Sequence, residues 1–554
     1  SRDISTIYDG AHEAMLNGGT EPPKLTYSQT KKKDDYEALQ SFLRSISSTA
    51  TLPPYIKGET YSSVKGVFNQ CLITCAVLII AAGAGHPIGF SAVALPQLRI
   101  ENSTMKIDDE MGSWIGEFFF FMFWLHTFVY LKKLRFVLLQ GQERWTSIHS
   151  ASTPLGSLLS GPVMEAFGRR RTLQLCILPL VVGWIIIGTS VHHAVLLTGR
   201  VICGFAVGIM AAPSQVYLGE IAEPRLRGLL IGTPFVAYSL GVLYVYALGG
   251  ALNWRTVAFL SIALPVLAFL ALCFSPESPT WLARRGRFHE AMAAMSRLRG
   301  DHDTAQRELH ELISAREKEK ARGEENIRFF ATISRAPVLK PLLLINAFNM
   351  LQILSGSYVV IFYAVDIVED TGGSLDPTMA ANATALIRLC VTVLACILLL
   401  RMTRRALVLI SGTGTAVCTL ALSCMLYQGQ ASGWLPPALI LGYVGFNTLG
   451  FFVLPGLMIG ELLPTRVRGL LGGYIFCLFN SVLFGFTKVY PHMKYTIGMG
   501  GVFGIFAASA TIATLILYLL LPETKGKSLL QIEEYYQKSN ILWMTRNSSD
   551  GQRV

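Results

Sequence analysis

Long apolar runs separated by short polar stretches recur along most of the chain. A helix of about 20 apolar residues can cross the hydrocarbon core of a bilayer, which is roughly 30 Å thick. The pattern therefore predicts an all-α membrane protein with twelve transmembrane helices. They are placed at Val67–Ala94, Ser147–Phe167, Leu173–Ser190, Val195–Leu218, Leu229–Gly250, Val257–Phe274, Val338–Ile367, Met379–Leu400, Ala406–Leu426, Leu435–Gly460, Gly469–Tyr490 and Gly500–Leu521.

One apolar stretch does not fit this series. Phe118–Leu131 is interrupted by His126 and is too short for a comfortable span. If it crossed the membrane, every later loop would change sides, and the basic sequence GRRRT (Gly168–Thr172) would lie outside, against the positive-inside rule. We interpret residues from about 116 to 145 as an anomalous insert. A gene-model error such as a retained intron is favoured over an interfacial or disordered insert.

Polar segments divide the chain into five regions. Residues 1–66 form a polar tail with the composition of disordered chain. Residues 67–275 and 337–521 hold six predicted spans each, as an N-terminal and a C-terminal bundle. Residues 276–336 are charged and have helical periodicity, which predicts amphipathic linker helices on the cytoplasmic surface. Residues 522–554 form a second polar tail, and both tails are predicted to be cytoplasmic.

Features of the first half recur in the second at a nearly constant spacing. The Glu-x6-Arg-Gly sequence that begins at Glu220 recurs at Glu461, 241 residues later. PESPTWL at Pro276 recurs as PETKGKSL at Pro522, and a GRR sequence recurs more weakly as TRR. Internal symmetry of this kind is typical of secondary transporters, which are built from pseudo-symmetric halves.

Composition supports a membrane protein and excludes other classes. Hydrophobic residues make up 52% of the 554 residues and charged residues only 15%, against about 25% charged in soluble domains. The net charge of +11 comes from basic residues in short loops, so it indicates orientation in a lipid bilayer and predicts no nucleic-acid partner. The ten cysteines lack metal-ligand spacing, which predicts no metal site. Without a Walker loop or a nucleophile elbow, we expect no cofactor, no catalytic residues and no enzyme activity.

Arginine and glutamate recur at the predicted cytoplasmic helix ends. Arginine forms bidentate pairs with carboxylates, and such pairs can link two helix bundles in one state and release them in another. We predict a conformational latch here, with ordinary surface charge at the lipid headgroups as the alternative. The predicted members are Glu165, Arg169, Arg170, Glu220, Arg227, Glu277, Arg404, Arg405, Glu461, Arg468 and Glu523.

Several motifs resemble those of the sugar porters of the major facilitator superfamily. They follow the family order over residues from about 67 to 530 and include GPVMEAFGRRR (Gly161–Arg171), GRVICGFAVG (Gly199–Gly208) and LQILSGSYVVIFYAVDI (Leu351–Ile367). Within the family, GFSAVALPQL, IFYAVDIVEDTG and LPGLMIGELLPTRVRG are most similar to the insect facilitated trehalose transporters. The resemblance implies two bundles that rock about a central sugar site.

A sugar site needs neutral hydrogen-bonding side chains flanked by aromatic faces. The seventh predicted span supplies this mixture in Gln352, Tyr358, Phe362 and Tyr363. By resemblance, Gln352 matches the first glutamine of the family's QQLSGxN motif. Ile353 stands in place of its second glutamine and Tyr358 in place of its asparagine.

The resemblance adds candidates from other spans. Asn480 matches a sugar-contacting asparagine of the eleventh span, and Asn447 lies near a family glutamate position. Gly456 stands where glucose porters often have tryptophan, and Phe235 stands near a family glutamine. These departures disfavour a glucose-type pocket and suit a larger or different sugar. Packing or interhelix hydrogen bonding is the alternative role for each residue.

Arg388 is the least expected residue of the predicted spans. At a rise of 1.5 Å per residue it lies roughly 12 Å into the eighth span, and an intramembrane arginine is costly enough to face a cavity by default. A role in substrate binding would involve sugar hydroxyls or an anionic ligand. The alternative is a structural arginine that reaches the membrane surface or pairs with carbonyl groups.

The first span has no carboxylate, whereas proton-coupled sugar porters resemble one another in having an aspartate there. Its only titratable side chain is that of His86. We therefore favour facilitative transport of trehalose or a hexose across the plasma membrane over proton symport. The same residues are also compatible with a non-transporting sugar sensor and with an organic-anion transporter that uses Arg388. Asn102, in an Asn-x-Thr sequence after the first span, is the candidate glycosylation site.

Overall fold

The computed structural model describes residues 63–99, 142–223, 226–321, 336–363, 367, 377–429, 433–464, 467–524, 532 and 535–536. Every regular element among these residues is a helix. In chain order they are α1 (Val64–Arg99), α2 (Gln142–Phe167), α3 (Arg169–Thr189), α4 (His193–Ile221), α5 (Arg227–Ala251), α6 (Trp254–Leu260), α7 (Ala263–Cys273), α8 (Pro279–Arg284), α9 (Phe288–Arg299), α10 (His302–Ala321), α11 (Ala336–Leu354), α12 (Val359–Phe362), α13 (Pro377–Arg401), α14 (Arg404–Tyr427), α15 (Leu435–Asn447), a π segment (Thr448–Phe452), α16 (Leu454–Leu462) and α17 (Arg468–Leu520).

The chain divides into two compact units, and the smaller comprises residues up to Gln70 together with Pro276–Thr332. Helices α8, α9 and α10 belong to it. Trp281, Phe288 and Leu309, one from each helix, share a buried apolar core. This core explains why a segment of high charge folds as packed helices, since each helix has one apolar face to bury.

Helix α10 begins at a capped end. The carboxylate of Asp301 accepts hydrogen bonds from the backbone amide of Thr304 at 3.1 Å and from its hydroxyl at 2.6 Å. These bonds stabilise the ionised carboxylate and lower the pKa of Asp301 below its ordinary value of 3.8. A backbone amide of the first turn is thereby satisfied.

The larger unit comprises Cys71–Ser275 and Ile333–Val554 and contains most of the apolar helices. Across the described residues of the chain, ten segments have the length and composition to cross a membrane. Leu178, Val417 and Leu515 lie on these segments and are 60%, 66% and 59% exposed. Burying such side chains in lipid is favourable, and a helix satisfies its own backbone groups there.

Several spans are interrupted. The break between α11 and α12 contains Gly356, whose φ of +83° is a left-handed value that glycine adopts without strain. The π segment Thr448–Phe452 separates α15 from α16. Within α17, Gly498 has φ 68° and ψ 172°, so this 53-residue element is two helices joined at a kink.

The structure confirms the all-helical membrane architecture, and the number of twelve spans stays a prediction. The predicted spans Gly469–Tyr490 and Gly500–Leu521 both lie within α17. Helix α2 begins at Gln142, inside the segment predicted as an insert. The rest of that insert, Asn102 and most of both predicted tails lie outside the described residues.

Candidate functional site

The break between α11 and α12 gathers polar groups inside the larger unit. The carbonyl oxygen of Gln352 lies 2.7 Å from the hydroxyl of Ser355 and 3.1 Å from that of Ser357. The hydroxyl of Tyr443, on α15, donates to the carbonyl of Ser355 at 2.7 Å. Backbone groups that a continuous helix would have paired are therefore paired with side chains.

Asn447 connects this break to the end of α15. Its Oδ1 accepts from the Ser357 hydroxyl at 2.6 Å, and its Nδ2 donates to the Ser355 hydroxyl at 3.1 Å. All three side chains are buried. Because buried polar groups without partners are costly, these bonds hold the broken helix against α15.

Arg388 lies at the junction of the break and the π segment. Its Nη2 donates to the carbonyl of Ser357 at 3.1 Å, and its guanidinium carbon lies 5.1 Å from the centre of the Phe452 ring. The residue is only 4% exposed.

Aromatic rings from both halves of the chain surround this arginine. The ring of Phe452 lies 5.4 Å from Phe235, 6.0 Å from Tyr238 and 6.0 Å from Tyr358. The hydroxyl of Tyr246, on α5, donates to the carbonyl of Ile361 at 2.7 Å. The candidate site is thus a polar cluster enclosed by rings, as recognition of a polyol requires.

Two residues that depart from the glucose-porter pattern, Phe235 and Gly456, are in contact. Gly456 packs against the ring of Phe235, which occupies the position where a larger side chain would stand. Phe235 belongs to α5 and Gly456 to α16, so the contact joins the two halves. A tryptophan at position 456 would require Phe235 to move.

The structure brings together four of the seven predicted substrate residues. Gln352, Tyr358, Arg388 and Asn447 lie around the break between α11 and α12. Tyr363 packs 4.9 Å from the ring of Tyr490, and its hydroxyl donates to the carbonyl of Thr487 at 3.4 Å. Asn480 donates to the hydroxyl of Ser157 on α2 at 3.3 Å. The side chain of Phe362 lies outside the described residues.

Several residues of this region were missed by the sequence reasoning. Ser355, Ser357 and Tyr443 carry no motif that marks them as partners of Asn447. A second buried arginine, Arg200 on α4, donates from Nη2 to the hydroxyl of Ser91 at 2.5 Å. An arginine near the start of the apolar sequence GRVICGFAVG, inside a predicted span, was a signal that could have identified it.

In the first half, the predicted latch residues form an ion-pair cluster at the ends of α2, α3 and α4. Arg169 is 1% exposed and donates from Nη2 to Glu165 at 2.9 Å and to Glu220 at 3.1 Å. Its Nε lies 3.0 Å from the other oxygen of Glu220. Arg170 donates to the carbonyl of Ser275 at 2.8 Å.

The second half repeats the arrangement. Arg404 donates from Nη2 to Glu461 at 2.9 Å and from Nη1 to the carbonyl of Leu399 at 2.9 Å. The other carboxylate oxygen of Glu461 accepts from the hydroxyl of Thr524 at 2.6 Å. Glu523 accepts from the backbone amide of Arg404 at 3.3 Å.

The remaining predicted latch residues have other contacts. Arg405 donates to the carbonyl of Tyr518, and Arg468 donates to the carbonyl of Leu463 at 2.8 Å. Arg227 is the first residue of α5. Glu277 belongs to the smaller unit and accepts from the backbone amide of Ser278 at 2.9 Å.

Each ion pair lies within its own half of the chain, and a glycine of the opposite half packs against it. A methyl group on Gly469 would lie 2.5 Å from Oε1 of Glu165. A methyl group on Gly228 would lie 2.5 Å from Nη2 of Arg404. The glycine that ends each Glu-x6-Arg-Gly repeat therefore packs against the ion pair of the opposite half.

Comparison with known proteins identifies the family. A family profile described as "Sugar (and other) transporter" matches residues 89–536. The chain belongs to the sugar transporter family. As a member of this family it is a membrane-embedded transporter for a small-molecule sugar, and it is not an enzyme.

Curated relatives of this sugar transporter include insect trehalose carriers. The facilitated trehalose transporter Tret1 of Bombyx mori is 32% identical over 474 residues, which are 84% of this chain and 86% of the relative. The protein of the same name from Culex quinquefasciatus is 29% identical over 476 residues, which are 85% of this chain and 86% of the relative.

Solved structures share the fold. The proton:xylose symporter XylE of the major facilitator superfamily, bound to 6-bromo-6-deoxy-D-glucose, superposes with a TM-score of 0.70. The match covers 85% of this chain and all of that chain, at 18% sequence identity. The major facilitator fold expected from the sequence motifs is thereby confirmed.

Proposed function

We propose that this sugar transporter is a facilitative carrier that moves trehalose or a hexose across the plasma membrane. The observation that carries the proposal is the buried polar cluster of Gln352, Ser357, Arg388 and Asn447 enclosed by aromatic rings. The names of the insect relatives support trehalose as the first sugar to test.

The number and the pairing of the carboxylates in the spans favour uniport over symport. Within the ten described spans, the acidic residues are Glu220 and Glu461, and each is paired with an arginine at a helix end. Arg200, seven residues into the span His193–Ile221, donates to the hydroxyl of Ser91. A proton carrier needs a group that binds and releases a proton during the cycle, and a carboxylate held by arginine is a poor one.

The substrate site that we propose extends beyond the cluster around Arg388. Tyr363 and Asn480 belong to the C-terminal half, as Arg388 does. They are included as candidates, together with Phe362 from the sequence analysis. Tyr238 and Tyr246 of α5 would complete the site from the first half. Substrate contact with both halves is what alternating access by rocking requires.

The latch that we propose lies at the cytoplasmic helix ends. Its members are those of the sequence analysis, with the clusters of Arg169 and Arg404 at its centre. We count twelve spans by adding α2 to the ten segments and by dividing α17 at Gly498. An even number of spans is consistent with both termini in the cytoplasm.

The proposal is tested by uptake of radiolabelled trehalose and glucose into oocytes, with surface expression measured by biotinylation. Uptake is expected to saturate and to be unchanged by an inward proton gradient. Absence of saturable uptake of either sugar by surface-expressed protein would overturn the proposed transport. Acid-stimulated uptake would overturn uniport, and sugar binding without flux would indicate a sensor.

A further inference from the structure

The buried arginines of the larger unit differ in their partners. Arg169 and Arg404 are 1% and 6% exposed, and each has a carboxylate oxygen at 2.9 Å. Arg388 is equally buried, but no carboxylate among the described residues contacts it. At the helix ends of Arg169 and Arg404 the chain supplies a counter-charge, and at Arg388 the described residues do not.

A buried cation without a counter-charge is expensive. The Phe452 ring and the carbonyl of Ser357 offset part of the lost hydration, because both present negative potential to the guanidinium. Neither neutralises the charge. The cost of desolvating an ion is recovered only when an opposite charge and well-aligned hydrogen bonds replace water.

One N–H donor of the Arg388 guanidinium also lacks an acceptor among the described residues. Nη1 of Arg388 is buried and has no hydrogen-bond partner among the described residues. The hydroxyl of Thr448, the first residue of the π segment, is likewise buried without a partner there. Buried donors in native proteins are nearly always satisfied, so these two groups are candidates for hydrogen bonds to a ligand that supplies oxygen acceptors.

The position of Arg388 suits a substrate contact. It touches both interruptions of the C-terminal half, the Ser355–Tyr358 break through the carbonyl of Ser357 and the π segment through Phe452. Discontinuous helices line the central site in many secondary transporters, because unpaired backbone at membrane depth is tolerated only where it borders a cavity or protein.

We propose that Arg388 binds the carboxylate of an acidic sugar, so that this carrier accepts sugar acids of the uronate class more tightly than the neutral sugar of the same ring. A carboxylate supplies the missing charge and can accept from both nitrogens of the guanidinium fork in a charge-assisted, bidentate pair, which a neutral hydroxyl does not provide. This inference rests on the proposed sugar transport and concerns the specificity of the same site.

The test compares D-glucuronate with D-glucose as inhibitors of radiolabelled trehalose uptake, or of radiolabelled glucose uptake if trehalose is not carried. In the wild-type protein, glucuronate is expected to inhibit at a concentration about tenfold lower than glucose, as a charge-assisted pair implies. Arg388→Gln is expected to remove this preference, so that glucuronate and glucose inhibit at concentrations within about twofold of each other. Arg388→Lys keeps the charge but loses the fork, and it is expected to keep part of the preference.

Binding to purified protein gives a second measurement that does not depend on transport. Glucuronate is expected to raise the melting temperature of the wild-type protein more than glucose does, and Arg388→Gln is expected to abolish the difference. Equal effects of the two sugars on the wild-type protein would overturn the inference, as would a preference for glucuronate that persists in Arg388→Gln. Absence of neutral-sugar uptake by the wild-type protein would instead count against the proposed function itself.

Discussion

Asn447 shows how a single amide can organise a membrane site. It bonds to two hydroxyls of the break between α11 and α12, which are 90 and 92 residues away in the chain. Both serine hydroxyls also bond to the carbonyl of Gln352, and the Tyr443 hydroxyl bonds to the carbonyl of Ser355. The break therefore depends on Asn447 as one of two side chains of α15 that hold it in place.

Replacement of Asn447 by alanine tests this dependence. The variant removes one hydrogen bond from each of two buried hydroxyls, which is expected to destabilise the protein by about 1–3 kcal/mol. The melting temperature in detergent is expected to fall, and sugar uptake to fall with it. Ser481→Ala is the control, because the Ser481 hydroxyl bonds to the carbonyl of Cys477 in its own helix. An Asn447→Ala protein as stable as Ser481→Ala would contradict the role of the amide.

Asp301 makes a pH-dependent contribution in the smaller unit. Its pKa is lower in the folded protein than its ordinary value of 3.8, so its stabilisation of α10 is complete above that value and is lost as the pH falls through the lower folded pKa. The protection factor of the Thr304 amide, which compares its exchange with that of an unstructured peptide at the same pH, is expected to fall in that acid range. Asp301→Ala is expected to have a low protection factor at every pH, and Asp303→Ala to behave like the wild-type protein. Unchanged protection of Thr304 in Asp301→Ala would refute the cap.

At the scale of elements, the break between α11 and α12 is built on Gly356. Its φ of +83° would strain an alanine by roughly 1–2 kcal/mol, and an added methyl group would also meet the ring of Phe506. Gly356→Ala is therefore expected to lower both the melting temperature and sugar uptake.

Gly485 supplies the matched control for this substitution. It lies in the helical part of α17, and a methyl group there would meet open space. Gly485→Ala is expected to leave uptake unchanged and to be neutral or slightly stabilising, since alanine favours a helix over glycine by about 1 kcal/mol. Equal losses of stability in the two variants would show that the break has no special requirement.

The elements differ in how far the sequence determines them. Apolar runs predicted the helices well, because each span must satisfy its own backbone in lipid and so depends on local composition. The gap between the predicted spans Gly469–Tyr490 and Gly500–Leu521 contains the kink at Gly498. The π segment leaves hydropathy unchanged, and the pattern could not locate it. The cluster around Asn447 depends on contacts between residues about 90 positions apart, which one sequence does not reveal.

The candidate site was predicted unevenly for a related reason. Arg388 was found because a charge inside an apolar run is conspicuous in the sequence. Ser355, Ser357 and Tyr443 are ordinary residues of membrane helices, and only their packing around the break makes them notable. Asn480 was assigned to the site by resemblance, whereas its amide donates to the hydroxyl of Ser157 and to the carbonyl of Phe476.

At the scale of the whole molecule, the sequence repeat has a counterpart in contacts. Gly469 packs on Glu165, and Gly228 packs on Arg404, so each half presents a glycine to the ion pair of the other. Glycine permits this approach because it has no side chain to separate the helices. Each ion pair can therefore persist inside its own half while the halves move relative to each other.

This arrangement predicts that a larger side chain at either glycine separates the two halves on the proposed cytoplasmic side. Gly469→Leu or Gly228→Leu would place carbon atoms where a carboxylate or a guanidinium now lies, and the halves are expected to separate there. Spin labels at Phe167 and Tyr474, exposed positions on α2 and α17, would report the change as a longer distance. The exposed native cysteines Cys71, Cys75, Cys273, Cys390 and Cys424 are replaced in the labelled protein.

Gly485→Leu separates this effect from the general cost of a larger residue in α17. A side chain at Gly485 has open space, so the spin-label distance is expected to match that of the parent protein. If transport requires closure on this side, Gly469→Leu and Gly228→Leu should also slow sugar uptake at saturating substrate more than they change its half-saturation concentration. Both leucine variants must be folded and present at the cell surface for this test. If their spin-label distances then match that of the parent protein, the glycine contacts do not hold the halves together.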